Sequence, residues 1–335
     1  MYKITKLVLL LTLAICSSTN VSAQSQVFKI ASLAPQGSDW IVRIEKGAKQ
    51  ITKETEGRVK FKIFSGGIQG DDEKVLRKMR NGQLHGGAFS TGSLAKQAPS
   101  VLLYGLPFLF NNVAEVTAVR EQFDSFVEQD LRKGGLVSFG FAGGGFAKIM
   151  SNTPVRSLDD LKGKKIWIPE GDTISYRGMQ DFGLAPVTLP VTDVLTGLQT
   201  GLIDVIGSSA LVALVLQWHT KITHVSTMPV SYIYGVLALD EKHLSKLSDE
   251  DQQTVERDFR KVYTEIEAKS MKDSEDATEA LMGSGITLVE AAPGALEQLQ
   301  SRSRALWKKV AAEGGLPQPQ LDQIYELLAN LRKSN

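Results

Sequence analysis

The 335-residue chain has one cysteine, Cys16, and only four histidines, His85, His219, His224 and His243. A single thiol excludes a disulfide scaffold, and no two histidines fall at the i,i+4 spacing of a zinc-binding helix, so no metal set is visible. No Gly-x-Gly-x-x-Gly follows a strand and no Walker-type loop occurs, which removes the two commonest phosphate cradles and leaves no cofactor implied. A Gly-x-Ser-x-Gly elbow is also missing, and Ser90, Ser208 and Ser209 stand beside no histidine or acid motif. The chain therefore reads as a binding protein and not an enzyme; a periplasmic hydrolase or isomerase is the alternative that a titratable pair in a cleft would establish. Basic and acidic residues nearly cancel, 38 against 37, so there is no cationic surplus for nucleic acid or an anionic membrane.

No apolar run approaches the ~20 residues of a membrane helix. The longest, Leu7 to Ile15, follows Lys3 and Lys6 and precedes the small-residue site Val21-Ser22-Ala23. Residues 1–23 are thus predicted to be a cleavable export signal, with the mature chain periplasmic. Bulky Ile15 before Cys16 argues against a lipoprotein site. Cleavage after Ala23 removes the only thiol and two lysines, and leaves enough chain for two domains.

Past the leader, short β-type runs alternate with helical ones. Val27–Ala34 and Val59–Phe64 read as strands. Trp40–Glu54, with Ile41, Ile44, Ala48 and Ile51 on one face, and Asp71–Met79 read as helices, and the acids opening the second suit the helix dipole. The β-like run Leu136–Phe141 is predicted to break at Gly143-Gly144-Gly145, a candidate crossing between lobes. A second α/β unit covers Lys165 to Ile206, and Val225–Leu239 reads as an extended run that crosses back. From about 252 to 282 a breaker-free helix, on the order of 45 Å long, would brace both lobes. The expected fold class is α/β, a two-lobed clamshell with a hinge. Lobe I takes residues 24–145 with 236–285, and lobe II takes 146–235 with 286–335.

The order of motifs then resembles the substrate-binding subunits of tripartite ATP-independent periplasmic (TRAP) transporters. It runs through Ala31-Ser32-Leu33-Ala34-Pro35, Phe64-Ser65-Gly66-Gly67-Ile68-Gln69-Gly70, Leu106-Pro107-Phe108-Leu109-Phe110, Leu158-Asp159-Asp160-Leu161-Lys162-Gly163-Lys164-Lys165-Ile166 and Leu198-Gln199-Thr200-Gly201-Leu202-Ile203-Asp204. The resemblance implies capture of a small-molecule ligand by lobe closure and delivery to the TRAP-type membrane permease subunits. An accessory periplasmic protein that hands over a poorly soluble ligand would be a further partner.

The resemblance also implies an arginine after Lys164-Lys165-Ile166 to clamp a substrate carboxylate, and Trp167 stands there instead. An indole has one donor and no charge, so a neutral or largely apolar ligand is expected. The expected site comprises Trp167, Phe146, Trp218, Trp40 and Tyr234 for ring faces, with Ser90, Thr91, Ser208, Ser209 and Gln69 for hydrogen bonds. Each aromatic also reads as ordinary packing. The alternative is an organic-acid receptor in which Lys148 or Arg177 replaces the missing arginine.

Overall fold

The computed structural model describes residues 25–334, so the expected export signal lies outside the described residues. The chain enters on β1 (Gln26–Ser32), followed by α1 (Asp39–Glu54), β2 (Val59–Phe64), α2 (Asp72–Arg80) and β3 (Gly86–Ser90). β1 pairs in parallel with both β2 and β3, as expected of βαβ units. The face of α1 read from its spacing, Ile41, Ile44, Ala48 and Ile51, is the buried one. Asp71 caps α2 by accepting from the Lys74 N–H at 2.8 Å.

Two helices, α3 (Leu102–Gly105) and α4 (Val113–Lys133), lead to β4 (Leu136–Ser138) and the ten-residue β5 (Ala142–Ser151). Here the sequence reading is corrected. The glycine triplet does not break a strand but lies inside β5, and the break falls at Gly140, whose φ of 115° suits only glycine.

Lobe II follows as β6 (Ile166–Pro169), α5 (Thr173–Asp181), β7 (Pro186–Leu189), α6 (Val194–Thr200), β8 (Val205–Ser208), α7 (Ala210–Val215) and β9 (His224–Ser226). The run expected at 225–239 is two strands, β9 and β10 (Ser231–Asp240). The chain closes with α8 (Glu241–Leu244), α9 (Asp249–Gly283), β11 (Thr287–Val289), α10 (Ala295–Ala312) and α11 (Gln318–Ser334).

The strands run in the order β2-β1-β3-β10-β5-β8-β6-β7. β5 and β10 sit at its centre and pair with each other around Gly143 and Tyr234, while β10 continues along β3 and β5 along β8. These two strands are the crossings between lobes. α9 spans 35 residues, about 52 Å, and buries Phe259 in the lobe I core and Leu281 in the lobe II core. The C-terminal segment, expected wholly in lobe II, is divided. Ala295 and Leu299 of α10 lie in the lobe II core, whereas Trp307 and α11 pack with α4. Arg332 fixes α11 there through Glu115 at 2.7 Å and the Leu109 carbonyl at 2.8 Å.

Candidate functional site

A cavity of about 480 Å³ lies between the lobes, walled by Ser38, Trp40 and Asp72 of lobe I, Gly143 and Tyr234 of the crossing strands, and Trp167, Ser208 and Trp218 of lobe II. The lobes meet at its rim. A Cβ added to Gly67 would lie 3.0 Å from Thr192 Cγ2, and one on Gly171 would lie 2.9 Å from Glu73 Oε1. This is a closed clamshell, and both rim glycines have positive φ, 72° and 85°.

Trp40 reaches the cavity because Ser38, in extended conformation, starts α1 at the end of the loop leaving β1. Its indole lies on the bare backbone of Gly235, with Cη2 only 1.5 Å from where a Cβ would stand. Trp167, on β6, donates its indole N–H to the Leu189 carbonyl at 2.9 Å and packs edge-on against Trp218 with centroids 5.2 Å apart. It is 5% exposed, so it is at once core and wall. Asp72 accepts from the Ser90 N–H at 3.1 Å and hydroxyl at 2.9 Å. Ser38 Oγ and Tyr234 OH have no hydrogen-bond partner among the described residues.

Among the described residues, every ionisable acid or base on this wall, the tyrosine hydroxyls aside, is a carboxyl, Asp72, Glu170 and Asp172 among them, and no lysine or arginine lines it. Desolvation raises both Asp72 and Asp172 above the usual carboxylate range, against the hydrogen bonds that Ser90 and Ser175 supply. Burial likewise pushes the Tyr234 hydroxyl well above its usual value. Asp71, also on the wall, shifts the other way, because its desolvation is outweighed by hydrogen bonds from Lys74.

Of the residues expected at the site, Trp40, Ser90, Trp167, Ser208, Trp218 and Tyr234 come together on the wall. Three do not. Phe146 packs edge-on against Tyr232, centroids 5.0 Å apart. Ser209 caps α7, accepting from the Val212 N–H at 3.3 Å. Gln69 holds Lys78 Nζ at 2.9 Å. The Thr91 side chain lies outside the described residues. Neither substitute cation reaches the wall: Arg177 pairs with Glu313 at 2.6 Å on the outside of lobe II. Lys148, opposite Ser208 in the β5–β8 pair, is half-buried, with Glu290 as the charge acting on it, and is not among the wall residues. Phe108, Asp72 and Asp172 were missed. Only the rare left-handed backbone of Phe108, φ 60°, marks it out, and no sequence pattern announces that.

The chain matches the family model of bacterial extracellular solute-binding protein, family 7, over residues 30–314. It is 26% identical over 197 residues to the 2,3-diketo-L-gulonate-binding periplasmic protein of Escherichia coli, covering 57% of this chain and 58% of that one. With the C4-dicarboxylate-binding periplasmic protein of Vibrio cholerae it shares 27% over 161 residues, 47% of each chain. The match thus spans about half the length of these curated relatives. A TRAP periplasmic solute-binding protein of Xanthobacter autotrophicus, solved with β-D-galacturonate, superposes with a TM-score of 0.81 at 22% identity, covering 90% of this chain and 99% of that one. A two-lobed fold with hinge strands, a bracing helix and an interlobe cavity, matched over residues 30–314, places this chain in the family 7 extracellular solute-binding proteins, which are transport proteins and not enzymes.

Proposed function

We propose that the protein captures an organic acid in its interlobe cavity and delivers it to the membrane permease of a TRAP-type transporter. The observation that carries this reading is the cavity between the lobes, on the hinge of a family 7 fold. Ligand that touches both lobes only in the closed form biases the closed population by its differential affinity.

The acid follows from the relatives. Those named for a ligand bind 2,3-diketo-L-gulonate or C4-dicarboxylates, and the structural neighbours were solved with galacturonate, L-gulonate or D-glucuronate. The expected neutral or largely apolar ligand finds no support among them. With no cation on the wall among the described residues, the acid would be held otherwise than in either sequence expectation. Ser38 and Tyr234, whose hydroxyls have no partner among the described residues, are the donors in reach of a ligand carboxylate. Trp167 is read as replacing the clamp arginine that the resemblance implies.

Native mass spectrometry of protein purified from the periplasm without refolding, followed by extraction, tests this. An acidic metabolite bound at one per chain is expected; a neutral compound in its place would overturn the acid reading.

A further inference from the structure

The cavity does not stop at the cleft. Its wall continues into lobe II along Leu158, Leu161, Met179, Phe182 and Leu299, which belong to, or pack against, the lobe II core cluster. All are apolar, so a polyhydroxylated ligand placed there would surrender its hydrogen bonds to water without replacement. A segment from outside the lobe supplies one side. Phe108, in the segment after α3, lines the cavity and packs into the lobe II cluster, its ring 6.4 Å from Phe182. Its φ of 60° is a costly conformation for a bulky residue. The Phe108 N–H holds it by donating to the Val230 carbonyl at 2.5 Å, at the start of β10. Strain is thus maintained at the point where the crossing strand, the cleft and the inner chamber meet.

We propose that the ligand is amphiphilic, with its acid group in the cleft and an extended hydrocarbon segment in the chamber inside lobe II. This rests on the acid reading for the polar end; the chamber itself stands on the wall residues. A sugar acid has no such segment, so the protein discriminates by chain length.

Isothermal titration of delipidated mature protein with linear alkanoates from butanoate to dodecanoate, and with alkanols of the same lengths, tests both ends. Affinity is expected to rise about fourfold per added CH₂ and to level off once the chamber is filled. Met179→Trp narrows the chamber and is expected to bring the plateau to shorter chains. Leu299→Ala widens it and moves the plateau to longer ones, so the proposal does not depend on one variant folding. Binding of D-galacturonate with no gain along the alkanoates would overturn the chamber and leave the acid reading standing. Alkanols binding as tightly as alkanoates, with the same length dependence, would keep the chamber and overturn the acid reading. No binding at any length would overturn the chamber.

Discussion

The imidazoles of His85 and His243 are stacked, with ring centroids 3.6 Å apart and planes 10° from parallel. The edge of Phe28 closes on both. Protonating the pair would set two cations face to face. Burial, then the neighbouring His85 and Lys246, bring His243 down to about 4, and burial also lowers His85.

Acid should therefore weaken the fold through this pair. Both folded values lie below the ~6.5 of an unfolded histidine, so the unfolded chain takes up protons first. The contribution is complete above about pH 6.5 and lost as pH falls toward 4. Allowing for solvent screening at the partly exposed His243, the loss is on the order of 1 kcal/mol. Urea midpoints at pH 7.5 and 5 should show it, and His243→Phe should flatten the difference. An unchanged slope in that variant would assign the effect to other groups.

A second prediction concerns the hinge. Glu267 of α9 accepts from the Gly143 N–H at 2.6 Å and pairs with Arg120. Arg120 also holds Asp124 at 3.0 Å and the Phe141 carbonyl at 2.9 Å. Glu267→Ala leaves the Gly143 donor and one side of a largely buried guanidinium unpaired, at a cost of about 2–3 kcal/mol. Glu267→Gln keeps an acceptor for Gly143 and should cost less. Urea denaturation gives the energies. Faster amide exchange at Gly143 in the alanine variant alone would place the loss at the crossing; equal exchange in both would remove it from there.

Helices were legible where apolar residues kept the 3.6 period, as in α1, or where a capping side chain marked the start, as in α2 and α9. The hinge was not, for a geometric reason. Alternation along β5 is reset at Gly145, φ 85°, and the β5–β10 register shifts between Tyr232 and Tyr234. Counting residues therefore cannot tell which face Phe146 or Lys148 takes. Ser209 and Gln69 were misplaced because a cap and a lysine contact satisfy the same polar groups that a ligand would. No element was read from the sequence where α11 lies; Pro317 and Pro319 flank its first residue, a place where proline is well tolerated.

Gly235 should tolerate no side chain. Trp40 Cη2 occupies the position that a Cβ there would need, so Gly235→Ala must push the indole out of place. Overpacking of this kind costs about 1–3 kcal/mol. The accompanying sign is a change in tryptophan emission that Trp40→Phe abolishes. Unaltered emission and stability in Gly235→Ala would mean that the indole does not rest on β10.

Trp167 separates a residue that merely faces the cleft from one that builds its wall. Its ring fills space beside Trp218 and its N–H satisfies the Leu189 carbonyl. Trp167→Phe keeps most of the volume and loses the hydrogen bond, a cost of about 1–2 kcal/mol. Trp167→Ala also opens the lobe II core and should cost about 3–5 kcal/mol. A residue lying on the wall without supporting it would cost little in either form, because ligand-facing surface is already solvent-accessible in the open protein. The ordering in urea denaturation of the ligand-free protein, alanine well below phenylalanine and phenylalanine below tryptophan, is therefore the outcome a built-in wall requires. Near-equal stabilities would instead leave Trp167 free to swing, and the cavity on that side without a fixed boundary.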